Sequence, residues 1–311
     1  MTQNDSQRPI ISVICPSWNT KVDIVELLDS LSALDYPKSR IEVIIVDNAS
    51  IDGSVDVIRN KFAEMRAAGW RKLRIIELPE NIGIPGAYNE AYRITDKDAF
   101  AILRVESDVI LAPDSLLHMV ELMLAKEKAG VIGGTIKSYK TGENQYGAII
   151  FSRYSGSYRV LFPDEPQVCG GVLGCCMLIR NINLGEEKDL FDSRLFIGCD
   201  ETDLSFTFAS KGYDTWYTPL AVISHKGGQS TGQVPDLTRY YSIRNNIILL
   251  RKHASWVKYI NGISYAFIWV TWKAIQADYI PVKAFKDAIF LNIKKKILPK
   301  SHNSRPFYNE D

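Results

Sequence analysis

Val105-Glu106-Ser107-Asp108-Val109 sets two carboxylates two residues apart, where the apolar run 99–105 gives way to a loop. On an extended segment, side chains at i and i+2 point the same way, so both can approach one cation. Their hard oxygens suit Mg2+ or Mn2+, ions that keep waters and share ligation with a substrate's phosphates. Acidic residues also end strands with no ligand at all, so the pair alone is a weak signal. Asp47, opening Asp47-Asn48-Ala49-Ser50 directly after the run 41–46, is placed to accept hydrogen bonds from a base or a ribose. Asp200-Glu201-Thr202-Asp203 carries three carboxylates in four residues at a helix start. First-turn acids complement the helix dipole, but three exceed what one cap needs. Their mutual repulsion raises at least one pKa, which suits a general base. His225, within Ser224-His225-Lys226-Gly227-Gly228, follows the apolar run 221–223. A lone histidine is more often structural, and only its company argues for a ligand.

Two further segments carry competing readings. Asn81-Ile82-Gly83-Ile84-Pro85-Gly86-Ala87-Tyr88-Asn89 is a glycine-containing loop leading into a helix, whose free N–H groups could face a diphosphate. It fits neither the Walker pattern nor the dinucleotide fingerprint, and a tight turn built on Gly83 and Pro85 explains it equally well. Asp52-Gly53-Ser54 is turn and cap chemistry. Ser17 and His225 together would invite nucleophilic hydrolysis, but the Gly-x-Ser-x-Gly elbow is missing, and that class is set aside.

The elements that must position these groups alternate along the first half. Runs 10–15, 41–46, 73–78 and 99–105 are short and β-branched, as strands covered on both faces are. Between them, Ile24, Leu27, Leu28 and Leu31 fall on one helical face; so do Val55, Ile58, Phe62 and Met65, and then Leu116, Leu117, Val120 and Leu124. Pro113 is expected to open the last of these helices and Gly130 to end it. Such alternation predicts a parallel sheet with ligands beyond the carboxyl ends of its strands. Ser17, Asp47, Asn81 and Glu106 all follow strands and should converge on one edge.

From Val131 glycine and tyrosine multiply (Gly133, Gly134, Tyr139, Tyr146, Gly147, Tyr154, Gly156, Tyr158), which predicts hairpins and a mixed sheet. A helix is expected over 201–210, stopped by Gly212, and mainly helix after Pro235. The chain then turns basic (Lys294, Lys295, Lys296, Lys300) and ends in a polar tail from Ser301.

Composition narrows the class. With 311 residues, 46% hydrophobic and 23% charged, the chain can bury a large core. A net charge of +1 gives no electrostatic reason to expect nucleic acid. Cys15, Cys169, Cys175, Cys176 and Cys199 form no C-x-x-C spacing, and are read as buried, reduced thiols of a cytosolic protein. Residues 1–9 are polar and lack the apolar stretch of a signal peptide. Residues 257–272 are apolar and aromatic, but Lys258 and Asn261 interrupt them, short of the ~20 apolar residues a bilayer span needs.

Taken in order, Pro16-Ser17-Trp18-Asn19, Val46-Asp47-Asn48-Ala49-Ser50, the 81–89 loop, Glu106-Ser107-Asp108, Asp200 to Gly212, His225 and Tyr240-Tyr241-Ser242-Ile243-Arg244-Asn245-Asn246 resemble glycosyltransferase family 2 over residues 10–251. Within it, the rhamnosyltransferase and galactofuranosyltransferase-like branch is the nearest in feel. The resemblance implies an α/β GT-A fold with a mainly parallel central sheet flanked by helices, a mixed acceptor-side subregion and C-terminal helices. Residues 1–9 would then form a polar segment, 10–130 the nucleotide-sugar half, 131–235 the acceptor half, 236–300 a helical region and 301–311 a polar tail. It implies inverting transfer from a UDP- or dTDP-sugar to a hydroxyl of a glycan or lipid-linked acceptor, in surface polysaccharide assembly, on the cytoplasmic side of a membrane.

Residue by residue, the resemblance puts Pro16, Ser17 and Asp47 at the nucleotide base, and Asn81, Gly83, Glu106, Ser107 and Asp108 along the rest of the nucleotide-sugar site. Asp108 matches the last acid of the Asp-x-Asp motif, with Glu106 at the first position, and His225 matches a histidine that joins Asp108 on Mg2+ or Mn2+. Glu201 stands at the catalytic-base position, with Asp200 as the other candidate, since the pair is reversed from the usual order. That reversal motivates the rival reading, a catalytically silent nucleotide-sugar-binding subunit. A sugar nucleotidyltransferase would need a glycine-rich N-terminal loop with a basic residue, which 14–20 lacks. Trp256, Tyr259, Tyr265, Phe267, Trp269 and Trp272 suit a headgroup boundary and the later lysines an anionic lipid, whereas packing on the catalytic domain or on a second subunit explains the aromatics as well.

Overall fold

The computed structural model describes residues 7–151, 158–182, 189–227 and 235–290. The first half follows the alternation: β1 (Ile11–Ser17), α1 (Asp23–Ser32), β2 (Ile41–Asp47), α2 (Ser54–Ala67), β3 (Lys72–Glu77), α3 (Ile84–Tyr92) and β4 (Ala101–Val105). These strands lie parallel in the order β3-β2-β1-β4, with Ser17 beside Asp47. Alternate residues feed two cores. Ile11, Val13 and Cys15 of β1 pack with the α1 and α2 stripes, while Ile14 packs with Ala87, Tyr88 and Ala91 of α3. Both faces are therefore covered, which is why the strands are apolar almost throughout.

β5 (Val109–Leu111) turns back from β4, and α4 (Ser115–Ala125) follows. Here two expectations change. Leu116 and Val120 are buried, but Met119 and Met123 complete the stripe, while Leu117 is partly buried and Leu124 is 50% exposed. Both stripes satisfy a 3.6-residue period, and α4 has only one face against β6 and β12, so packing chooses between them. Asp114 is the N-cap, one residue beyond Pro113, and Gly130 lies in β6 (Ala129–Ser138) rather than at a helix end. A Cβ on Gly130 would come within 2.5 Å of Phe208 and 2.7 Å of Tyr213, so the glycine is there for close approach.

The second half is the expected mixed region: β7 (Asn144–Tyr146), the hairpin β8 (Ala148–Phe151) and β9 (Tyr158–Leu161), β10 (Gln167–Cys169), β11 (Cys176–Arg180), α5 (Asp200–Ser210) and β12 (Asp214–His225). β11 inserts antiparallel between β4 and β6, and β12 runs parallel to β6 and antiparallel to β5. Gly212 ends α5 at φ +85°. The short run at 221–223 is the end of the long strand β12, which carries His225 to a position beside Val109. Three helices follow among the described residues: α6 (Pro235–His253), α7 (Trp256–Ile275) and α8 (Ile280–Phe290). Tyr154, Gly156, Gly228, Lys294, Lys295, Lys296, Lys300 and the tail from Ser301 lie outside the described residues. Among the described residues no helix is long and apolar enough to cross a membrane.

Candidate active site

Because β3, β2, β1 and β4 are neighbours and parallel, the segments after their carboxyl ends gather at one edge. Asp47, at the end of β2, is buried; its Oδ2 accepts the Ser50 N–H at 3.0 Å, while Oδ1 is buried with no hydrogen-bond partner. An orphaned carboxylate oxygen in a buried position costs free energy until a donor arrives. Pro16 and Ser17 form the adjacent wall; the Ser17 hydroxyl lies 2.9 Å from that of Thr20, and its carbonyl accepts the Asn48 N–H. Asp52 accepts the N–H groups of Lys21 and Ser54, which is the turn and cap role expected of it.

The 81–89 loop is largely self-satisfied. Asn48 Oδ1 accepts the Ile82 N–H, Asn81 Oδ1 accepts the Gly83 N–H and the Asn48 amide, and the Phe196 carbonyl accepts the Ile84 N–H. Gly83 adopts φ +82°, and a Cβ there would meet Phe196 at 2.6 Å. The amides of Ile82, Gly83 and Ile84 are thus committed to protein acceptors, and the tight-turn reading accounts for them.

Glu106-Ser107-Asp108 forms the turn between β4 and β5 rather than an extended segment. The carboxylates still converge, because β12 delivers His225 opposite them. Its Nε2 lies 3.4 Å from Asp108 Oδ1 and 3.9 Å from Glu106 Oε2, and one ligand atom from each residue falls within 4.8 Å of the others. Nε2 is buried without a well-formed hydrogen bond, so an imidazole nitrogen faces two carboxylates with room between them. That donor set fits a hard divalent cation. Burial pulls the His225 pKa down, and the closeness of Asp108 and the charge of Glu106 more than reverse it. Burial raises the Glu106 carboxyl, with Arg104 opposing and Asp108 adding to the rise.

Arg104 is the residue that sequence reasoning missed. It sits in β4, almost fully buried, stacked over Tyr88 at 4.5 Å and Phe191 at 5.0 Å. Nη1 pairs with Asp200 Oδ2 at 2.6 Å, and Nη2 lies 3.7 Å from Glu106 Oε1. Its signal was available: a guanidinium inside an apolar strand is costly unless an acid meets it. Gly174 makes room for the pair, since a Cβ there would stand 2.9 Å from Arg104 Nη2 and 3.0 Å from Glu201 Cβ. Burial, then the charge of Asp200, pushes the half-buried Glu201 up to about 7 against the pull of Arg104. Asp203 points elsewhere, to His253 Nε2 at 2.6 Å and Lys252 Nζ at 2.7 Å on α6, so the three carboxylates expected to repel one another reduce to two. His225, Asp108, Glu106, Arg104, Asp200 and Glu201 form one continuous charged chain along the sheet edge.

The family model described as glycosyl transferase family 2 matches residues 12–184, more than half of the chain and including Asp47, the 81–89 loop and Asp108. The chain belongs to glycosyltransferase family 2. Among its relatives, the poly(ribitol-phosphate) β-N-acetylglucosaminyltransferase TarS of Staphylococcus aureus is 32% identical over 133 residues, 39% of this chain and 21% of that protein. The chain thus matches about a fifth of the length of that relative. The family's GT-A fold is evident in solved structures. A mannosyltransferase of Pyrobaculum calidifontis, in complex with GDP-Man and Mn2+, superposes with a TM-score of 0.60 at 19% identity, over 92% of this chain and 74% of that one. TarS in complex with UDP-GlcNAc gives 0.57 at 15% identity, over 90% of this chain and 81% of that one. All five cysteines of the chain are free thiols, four of them buried.

Proposed function

We propose that the chain is an inverting, metal-dependent glycosyltransferase that moves a sugar from a nucleoside-diphosphate donor to a hydroxyl of a glycan or lipid-linked acceptor. The observation that carries this reading is the placement of the Glu106–Asp108–His225 donor set and the raised Glu201 carboxyl at the two ends of one charged chain. Asp47 takes the base through its unpartnered Oδ1, against Pro16 and Ser17. Asn81 and Gly83 shape the wall beside it through Asn48, and Ser107 lies in the turn that presents the acids. Asp108 and His225, with Glu106, would hold Mg2+ or Mn2+, which when bound neutralises negative charge on the departing diphosphate.

The ion pair between Arg104 and Asp200 supports Glu201 as the base. Asp200 is spent on Arg104, which orients its carboxylate away from an acceptor. Glu201, pushed toward neutrality, takes the acceptor's proton as that oxygen attacks the anomeric carbon from the face opposite the diphosphate. The C–O bond to the diphosphate breaks, the leaving oxygen keeps the electron pair, and one displacement inverts the anomeric centre. The middle segment from Cys169 to Cys176, brought against Glu201 through Gly174, forms the acceptor side. The exposed aromatic face of α7 sets the enzyme on the inner surface of a membrane that carries a lipid-linked acceptor.

Both TarS and the Pyrobaculum calidifontis mannosyltransferase have been solved with nucleotide sugars, which supports the donor class. A steady-state assay with Mn2+ and a panel of UDP-, dTDP- and GDP-sugars tests the reading. Glu201→Gln should remove transfer and leave UDP binding intact. A wild type that binds donor yet transfers nothing supports the silent-subunit alternative instead.

A further inference from the structure

The segment leading into α5 is strained. Phe196 has φ 61° and ψ −52° and, with the Leu195 carbonyl accepting the Ile197 N–H at 2.7 Å, forms a left-handed γ-turn. Gly198 follows at φ 75° and Cys199 at φ 67°, directly before Asp200. Such conformations are costly for non-glycine residues and persist only where surroundings over-determine them. Here the surroundings are two side chains of α6. Asn245, fully buried, directs Nδ2 at the carbonyls of Leu195, Ile197 and Gly198, at 2.8, 2.9 and 2.9 Å. Three carbonyls can only accept, so the amide orientation is fixed, and Oδ1 is left buried without a partner. Arg244 donates to the Arg194 carbonyl, and the Phe196 carbonyl accepts from Ile84 at the start of α3. Every carbonyl from Arg194 to Gly198 is therefore held from outside the segment. Phe196 also stacks on Tyr241 at 5.0 Å, and Arg244 lies over the Tyr241 ring at 4.8 Å.

We propose that Asn245, assisted by Arg244, is a positioning residue for the catalytic carboxylate: α6 clamps the strained 194–199 segment and thereby fixes where α5 begins and where Glu201 points. This rests on the transferase reading with Glu201 as base. The same segment touches Gly83 through Phe196, so the clamp also ties the catalytic helix to the wall of the nucleotide site. Retaining a buried, unsatisfied Asn245 Oδ1 makes sense when the amide's donors do work an apolar side chain cannot.

Cys199 supplies a readout independent of turnover. It is the one cysteine that is not fully buried, and its thiol is pushed up to about 12 by burial and by Glu201, so it reacts slowly while the segment is closed. In Asn245→Ala, labelling of Cys199 by a small thiol reagent should accelerate about tenfold as the segment opens locally. In the same protein kcat should fall about a hundredfold, as misplacement of a reacting group by an ångström does. The donor KM and UDP–Mn2+ affinity should stay within about threefold, because Asp47 and Asp108 lie on other elements; at 1.4 kcal/mol per tenfold that is a minor loss. Asn245→Ser, which keeps one donor, and Arg244→Lys should give intermediate values, and they serve if Asn245→Ala does not fold. Unchanged labelling overturns the clamp whatever the activity. Faster labelling with wild-type kcat overturns the positioning role. A wild type silent toward every donor overturns the transferase reading and the base it positions, while the labelling rates then show separately whether the clamp exists.

Discussion

At the level of single residues, Arg104 explains why two adjacent acids can differ in role. Its guanidinium pairs with Asp200 and leaves Glu201 half-buried beside the Asp200 carboxylate, which is the environment that raises a carboxyl. The base must be ionised to accept a proton, so kcat should rise through about pH 7 and level off above it, with a roughly tenfold fall per pH unit on the acid side. Folding should show the matching sign. A carboxyl whose folded pKa exceeds its unfolded value binds its proton more tightly when folded, so its stabilising contribution is full below the unfolded pKa and lost as pH rises through about 7. Glu201→Gln should accordingly raise Tm at pH 8 more than at pH 5, by calorimetry; an equal effect at both would mean Glu201 titrates normally. Arg104→Gln should move the acidic limb of the rate profile upward and destabilise by about 3–5 kcal/mol, because it strands Asp200 as a buried unpaired charge. The acids themselves were legible in the sequence, Asp47, Glu106 and Asp108 because they follow apolar runs, Asp200 and Glu201 because they crowd a helix start. Arg104 merges with its strand in the sequence because a single charge within an apolar stretch gives no sign of its partner, and that partner lies almost a hundred residues away.

Individual elements carry the site by their ends. The parallel strands β1 to β4 were visible in the sequence because their composition registers burial on both faces, and the edge they share follows from their direction. The insertion of β11 was not visible, since its apolar run fits any interior position and only pairing assigns it between β4 and β6. The same limit applied to α4, where two stripes obeyed one period. The turn at 81–84 is where backbone geometry is least forgiving. Gly83→Ala places a Cβ on a left-handed backbone and against Phe196, so it should cost about 1–3 kcal/mol in chemical denaturation and weaken UDP binding through Asn48 and Asp47. Unaltered stability would mean that Phe196 and its γ-turn yield easily, contrary to five carbonyls held in succession. On the opposite side of the site, Asp108→Asn should abolish the Mn2+-dependent part of the UDP thermal shift, which in wild type corresponds to about 2.7 kcal/mol at a hundredfold excess over Kd. Persistence of that part would place the metal elsewhere.

For the molecule as a whole, the unused surface is α7. Over its length only Val270 is buried, Trp256, Tyr265, Phe267, Ile268 and Trp272 are exposed, and Trp256–Ile275 contains no acidic residue. Turning by 100° per residue, the exposed positions span about half the helix circumference, and Lys258 lies at one border of it. An apolar, aromatic half-cylinder bordered by a lysine is the pattern of a helix lying in a bilayer interface, where rings reach the acyl boundary and cations meet anionic headgroups. The full chain should therefore cosediment with vesicles containing about a third anionic lipid and be released by roughly 0.5 M salt only in part, since screening removes the lysine contribution and spares the aromatic one. Replacing Trp256 and Trp272 with serine should lower the partition coefficient about tenfold or more, each ring being worth over a kilocalorie when removed from water. The alternative occupant of this face is a second copy of the chain. Sedimentation velocity without lipid distinguishes them: a dimer dispersed by the same two substitutions, with no vesicle binding by wild type, would move α7 from a membrane surface to a subunit interface.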